Sequence, residues 1–289
     1  MKILITGANG QVGQALVNKL QGKAELLAVT REQLDITNEA RVQTQVQAFL
    51  PDVIINAAAY TAVDKAEQEQ ELSHQINAVG PEFLAKTAEG INAALLHIST
   101  DYVFSGEKSG CYNELDETNP QGVYGLTKLA GEKLVAEFCS KHIILRTAWV
   151  FHENGENFVK TMLRLGKERD SLGIVGDQFG GPTYADDIAD ALIQIAHHIT
   201  SGMPTNYGIY HFSGMPHVTW FDFASAIFDA AVKHQVIDKK PQLNTITTAD
   251  FPTPAKRPAN SKLNCDKIQR EFGITPSNWH LALERIEEY

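Results

Sequence analysis

The chain has no run of lysine or arginine, and its acidic residues outnumber the basic ones, 35 to 25, for a formal net charge of −10. Such a balance offers no electrostatic footprint for a phosphate backbone or an anionic bilayer, so neither nucleic acid nor a membrane is an expected partner. An anionic ligand must then be held by local devices, such as helix N-termini and single arginines in a cleft. Cysteine is scarce as well. Cys111, Cys139 and Cys265 are far apart, odd in number and form no CxxC pair, which argues against a disulfide framework and for a reducing compartment. No apolar run approaches the ~18–20 residues of a membrane span. No signal peptide precedes the first strand-like segment, so a soluble cytoplasmic protein is expected.

What is present is an ordinary globular composition, 43% apolar and 21% charged, which disfavours disorder, coiled coil or fibre. With 289 residues, the chain exceeds the usual domain of roughly 100–200 residues, and a large domain with a smaller one appended is expected. Near-continuous apolar runs recur at Lys2–Thr6, Glu25–Val29, Asp52–Asn56, Ala94–Ser99 and His142–Thr147, the pattern of parallel strands covered on both faces. Helix-periodic stretches lie between them at Gln11–Gln21, Asn38–Leu50, Ser73–Gly90 and Tyr124–Lys141. This alternation predicts an α/β fold with a doubly wound, Rossmann-like parallel sheet. After Thr147 the pattern loosens. A further helix is expected to start just after Pro182, with Thr183 and Asp186 suited to a capping box. The expected division is a dinucleotide-binding domain over 1–148, with about 172–199 returning to it. A smaller α+β substrate domain takes 149–171 and 200–289.

The first strand runs into TGANGQVGQAL, with Gly7, Gly10 and Gly13. Glycines there permit a tight turn and close approach of backbone to a pyrophosphate, and the following helix presents free N–H groups. The spacing is GxxGxxG and not GxGxxG, so the strand–loop–helix context carries more weight than the spacing. The second strand ends at Val29-Thr30-Arg31, where an NAD-preferring domain usually places a carboxylate for the ribose hydroxyls. A guanidinium suits a 2′-phosphate, so NADPH is favoured with NADH as the alternative, although Arg31 equally suits a solvated loop. Asp35, beside Ile36, suits either the adenine pocket or a helix cap.

Tyr124 and Lys128, in VYGLTKLAGE, are one helical turn apart on the same face. Upstream, HISTDYVF brings Ser99 and Thr100 out at the carboxyl edge of the sheet, where open α/β sheets bind ligands. A phenol with an ordinary pKa near 10 needs help to move protons at neutral pH. A nearby ammonium, together with the positive nicotinamide ring of the oxidised cofactor, lowers it, and the Thr100 hydroxyl can hold a substrate oxygen against Tyr124. Together they form a ketone-reducing set in which hydride goes to carbon and a proton to oxygen.

These stretches, with PDVIINAAAYTAVDKAE, INAVGPEFLA, LRTAWVF, GDQFGGPTYADDIA and TPAKRPANSKLN, cover nearly the whole chain. Together they resemble the extended short-chain dehydrogenase/reductase family, and within it the dTDP-4-dehydrorhamnose reductases. The resemblance implies NAD(P)H-dependent reduction of the C4 ketone of a dTDP-sugar, dTDP-4-dehydro-β-L-rhamnose. It implies Gly7, Gly10, Gln11 and Val12 at the pyrophosphate and Asp35 and Ile36 at the adenine, beside Thr30 and Arg31, which the end of the second strand offers to the adenosine ribose. Ala59, Tyr60 and Thr61 would run toward the nicotinamide ribose, with Thr100, Tyr124 and Lys128 as the catalytic set and the last two also on the cofactor. Thr61, Val63, Asp101, Tyr102 and Trp149 would edge the sugar-nucleotide pocket.

Trp149 equally suits a core aromatic at a strand end. Arg257, in AKRPANS, matches a diphosphate, or is an exposed loop residue. Some members of the family hold a divalent metal at a dimer interface through acids of the first helix and of the segment after GGPT. Gln14 and Ala15 stand in that helix here, so no metal is expected, and a monomer or weak homodimer is. A dehydratase or epimerase of the same fold is the nearest rival. Asp101-Tyr102 replaces the Asp-Glu pair that dehydratases place after the threonine. A non-catalytic NADP-binding regulatory subunit is the rival from another class.

Overall fold

The apolar runs form strands where the sequence places them: β1 (Lys2–Thr6), β2 (Glu25–Val29), β3 (Val53–Asn56), β4 (Ala94–Thr100) and β5 (His142–Thr147). The computed structural model describes all of residues 1–289. Between these strands lie α1 (Gln11–Leu20), α2 (Glu39–Phe49), α3 (Val63–Ala66), α4 (Gln70–His74), α5 (Gly80–Gly90) and α6 (Val123–Phe138). There follow β6 (Val150–Phe151), α7 (Phe158–Glu168), β7 (Ser171–Val175), β8 (Phe179–Gly180), β9 (Thr183–Tyr184) and α8 (Ala185–Thr200). The chain ends with β10 (Gly208–His211), β11 (Val218–Thr219), α9 (Trp220–Lys233), β12 (Gln242–Ile246), α10 (Asp266–Phe272) and α11 (Trp279–Leu283).

The central sheet has the order β10-β5-β4-β3-β1-β2, and every pairing in it is parallel. Because successive side chains of a strand face opposite ways, its two faces sort residue by residue. Ile3 and Ile5 pack with Ala15, Leu16, Ile188 and Leu192 of α1 and α8. Leu4 packs on the other side with Val42, Leu84 and Val135 of α2, α5 and α6. Helices on both faces leave the carboxyl edge as the open side of this doubly wound sheet. A second core gathers Met162, Leu172, Phe223, Phe228 and Trp279 from α7, β7, α9 and α11.

Several sequence expectations are corrected. Ser73–Gly90 is not one helix: α4 gives way to a π-helical turn at Gln75–Val79 before α5 begins. Pro81 cannot donate a backbone hydrogen bond to the preceding turn. There Asn77 is turned inward, accepting from Tyr60 N–H at 2.8 Å and donating to Tyr60 C=O at 3.1 Å. The helix expected after Pro182 begins at Ala185, because Thr183 and Tyr184 first pair with β6. The Thr183 hydroxyl donates to Ala148 C=O and Gly181 C=O, so it forms no capping box with Asp186.

Two segments lie apart from the expected division. β7, within the stretch expected to return to the first domain, pairs in parallel with β12, and its alternating exposure fits a two-stranded ribbon covered on one face. β10, placed by its position among the last ninety residues, instead extends the central sheet beside β5. Four mixed residues, GIYH, are too few for periodicity to reveal a strand.

Candidate active site

The glycine loop is compressed between β1, β3 and α1. Gly7 has φ +70°, and a Cβ there would come 2.6 Å from Ala58 N. A Cβ on Gly13 would lie 2.0 Å from Gly7 O, so α1 can pack this close only on glycine. Gly10 is the N-cap of α1 and no side chain caps the helix, which leaves first-turn N–H groups available to an anion. Beside the loop is a cavity of about 390 Å³ reaching Arg31, Asp35, Ile36 and Ala59 to Thr61. This glycine cradle and its uncapped helix fit a dinucleotide pyrophosphate.

Thr30 is not part of that lining. Its N–H donates to Gln33 Oε1 and its hydroxyl to Glu32 Oε2, both within its own turn. Glu32 itself lines the cavity beside Arg31, so a carboxylate stands one position after the arginine at the end of the second strand. The Thr30 hydroxyl and the local backbone hold the exposed Glu32 carboxyl below its ordinary range. Asp35 also accepts from the N–H and hydroxyl of Thr37, which makes it a local cap at the wall of the cavity.

A second cavity, of about 660 Å³, shares Gly10, Ala57 to Ala59 and Thr61 with the first and continues to Thr100, Tyr124 and Lys128. Gln11, Val12, Val63, Asp101, Tyr102 and Trp149 also line it. The strand-end threonine and the helical tyrosine and lysine thus meet in one space. Thr100 donates its hydroxyl proton to Asp101 Oδ1 at 3.0 Å and accepts from Tyr102 N–H at 3.2 Å. Asp101 is buried and its Oδ2 is unpartnered. Burial pushes its carboxyl up to about 6, against hydrogen bonds from Ser261 and Thr100.

Lys128 by itself does not bring the Tyr124 phenol down. Burial raises the phenol above its ordinary value, Asp101 and Tyr102 add to the rise, and a hydrogen bond with Thr100 opposes it. The physical reason lies in where the lysine points. Lys128 Nζ donates to Ile98 C=O at 2.8 Å and lies 3.4 Å from His97 Nε2. Burial lowers Lys128 to about 8, with Glu132 opposing. The neutral phenol is therefore the resting form of Tyr124, as a proton donor requires.

A third cavity, of about 490 Å³, opens from Tyr102, Trp149 and Trp220 into the smaller lobe, where Phe158, Met162 and Ile174 give it apolar walls. Trp149 has φ +49° just after β5, lies face to face with Trp220 and packs on the buried cluster of Val103, Phe104, Tyr112, Ala148 and Leu263, so it is both a cavity wall and an edge of the core. Arg257 Nη2 meets Asp64 Oδ2 at 2.6 Å, and both line this cavity. Tyr102, beside Arg257, is pushed by burial and Asp101 to about 12, with Arg257 opposing.

Behind the site a buried ion pair fixes α6 on the sheet. Arg146 Nε and Nη2 donate to the two Glu132 oxygens at 2.9 and 2.6 Å, and Ser99 donates to Glu132 Oε1 at 2.5 Å. The acids after GGPT also have partners: Asp186 meets His152 and Lys19, and Asp187 accepts from Ser277.

Sequence reasoning missed Trp220, Phe158 and Met162. The pattern Thr219–Asp222, which forms a capping box, places Trp220 at the first turn of α9 but does not reveal what it faces.

A Rossmann-like sheet with a glycine loop and Thr100, Tyr124 and Lys128 at its carboxyl edge defines an extended short-chain dehydrogenase/reductase. The family model described as "RmlD substrate binding domain" matches residues 1–288. A dTDP-4-dehydrorhamnose reductase of Aggregatibacter actinomycetemcomitans is 54% identical over 290 residues, covering 100% of this chain and 99% of that protein. The crystal structure of a dTDP-4-dehydrorhamnose reductase from Clostridium acetobutylicum has a TM-score of 0.91 at 42% identity, covering 100% of this chain and 99% of the other. That of the Bacillus anthracis enzyme, in complex with NADP, has a TM-score of 0.90 at 39% identity over 99% and 98%. The chain belongs to the dTDP-4-dehydrorhamnose reductase family.

Proposed function

We propose that this protein reduces the C4 ketone of dTDP-4-dehydro-β-L-rhamnose with NADPH, giving dTDP-β-L-rhamnose for cell-surface polysaccharide. The observation that carries the reading is the continuity of the glycine-loop cavity with the space shared by Thr100, Tyr124 and Lys128.

Bound NADPH supplies the hydride to the C4 carbon. Gly7, Gly10, Gln11 and Val12 hold the pyrophosphate, and Arg31, Asp35 and Ile36 hold the adenosine end. Ala59, Tyr60 and Thr61 flank the path to the nicotinamide. Tyr124, kept neutral by burial, gives its phenolic proton to the ketone oxygen. Thr100 orients that oxygen, and Lys128 holds the cofactor ribose and supplies positive charge as the phenolate forms. Asp101, Tyr102, Val63 and Trp149 border the sugar, and Arg257 faces the diphosphate. Residues 1–148 with α8 and β10 form the dinucleotide-binding part, and the remainder closes the substrate side. The enzyme works in the cytoplasm as a monomer or weak homodimer; no helix is long and apolar enough to cross a membrane.

A panel of 4-keto sugar nucleotides assayed with NADPH and NADH tests this. The dTDP-4-keto substrate with NADPH should give the highest kcat/KM. Cofactor binding without turnover of any member would favour a regulatory NADP-binding subunit. Product formation without net NADPH loss would favour an epimerase or dehydratase.

A further inference from the structure

Beneath the site a chain of buried polar side chains runs from β1 through β3 and β4 to α6. Thr6 donates to Asn56 Oδ1 at 2.7 Å, and Ala58 N–H donates to the same oxygen at 3.1 Å. The backbone N–H can only donate, so it fixes which end of the Asn56 amide is oxygen. Asn56 Nδ2 is then the donor that faces His97 Nδ1 at 2.9 Å. A ring nitrogen that accepts carries no proton. His97 is fully buried, and burial together with Lys128 drives it well below its ordinary range, so the ring is neutral. Its one N–H proton must sit on Nε2, the atom 3.4 Å from Lys128 Nζ.

We infer that His97 is a positioning residue for Lys128: Asn56 fixes the ring with Nε2–H aimed at the lysine, so the ammonium that serves Tyr124 is held by Ile98 C=O and not by the ring, and gives way to the amine more readily than it would beside an acceptor. An Nε2–H opposite an ammonium is donor against donor, whereas opposite an amine it is a hydrogen bond. The other groups around Lys128 are few. On α6 are Tyr124 and Glu132, the latter engaged by Arg146 from β5 and Ser99 from β4. On β4 Ile98 C=O accepts from Nζ. Burial sets the main lowering of Lys128; the imidazole is the polar neighbour whose proton position adds to it or opposes it, and Asn56 decides that position from the end of β3.

Nitrogen-15 NMR of histidine-labelled protein reads the ring directly, with the His97 signal assigned by its loss in His97→Gln. The proton is expected on Nε2, with no titration from about pH 5 to 9. A proton on Nδ1, or a charge gained in that range, overturns the proposal. In Asn56→Asp the carboxylate accepts where the amide donated, so the proton is expected to move to Nδ1 and leave Nε2 to accept from Lys128. The alkaline fall of kcat/KM, expected near the Lys128 value of about 8, should then move up by roughly one pH unit. Lower kcat with the fall unmoved, or a shift without the tautomer change, means that His97 is merely structural. The pH–rate arm rests on ketone reduction as the reaction; the ring tautomer is read without turnover, so the two readings fail separately.

Discussion

Trp149 and Trp220 stack with ring centroids 3.5 Å apart and planes within 9° of parallel. One follows the last strand before the smaller lobe and the other opens α9, so the pair joins the two lobes at the boundary between the cofactor cavity and the apolar one. An aromatic pair contributes about 0.5–1.5 kcal/mol beyond its buried area. Trp220→Ala should therefore raise KM for the sugar nucleotide roughly 3- to 10-fold and leave the Kd for NADPH unchanged. Steady-state kinetics with the cofactor saturating measures the first, and fluorescence titration the second.

The buried Asp101 carboxyl predicts a pH dependence of stability. Its folded-state pKa of about 6 lies above the ordinary carboxylate value because of burial. A group raised in this way contributes stability below its unfolded pKa and loses it as pH rises through the folded one. The wild type should thus lose on the order of 2–3 kcal/mol between about pH 4 and 6 from this group. Asp101→Asn should lack that loss. Urea unfolding of both proteins at about pH 4 and pH 7 should show the variant gaining relative stability as pH rises; a constant difference would remove Asp101 from the account.

The Arg146–Glu132 pair is buried on both sides, at 2% side-chain exposure each. Glu132→Gln leaves a desolvated guanidinium without its counter-charge, a change that costs about 3–5 kcal/mol. Guanidinium chloride unfolding should show that loss at an unchanged m-value. A loss under about 1 kcal/mol would mean that the pair does not anchor α6.

Arg31 lines the glycine-loop cavity together with Glu32. Arg31→Asp should lower kcat/KM for NADPH and shift the preference toward NADH, because a carboxylate repels the 2′-phosphate and accepts from the ribose hydroxyls. An unchanged preference ratio in paired assays would assign the choice to other residues.

Much of this was legible in the sequence because it is local. The five leading strands are continuous apolar runs, and Tyr124 and Lys128 share a helix face by spacing alone. The glycine loop is announced by its position after β1. What the sequence hides depends on residues far apart in the chain. Trp220 reaches Trp149 across the join between the lobes, and β10 joins the sheet from beyond α8 with too few residues to show a period. The direction of the Tyr124 shift was also hidden, because spacing shows that a lysine is near but not that its Nζ turns to Ile98 and His97. Thr30 stands at the expected place by order, yet its own turn takes up its polar groups.

The most direct test of ketone reduction by Tyr124 compares wild type and Tyr124→Phe with NADPH and dTDP-4-dehydro-β-L-rhamnose, following nicotinamide absorbance and the reduced sugar together. The wild type should consume one NADPH for each alcohol formed. The variant should bind NADPH as before and turn over about 10²–10⁴-fold more slowly, the scale of losing a general acid. Wild-type turnover in the variant, or none in the wild type with cofactor bound, would contradict the account.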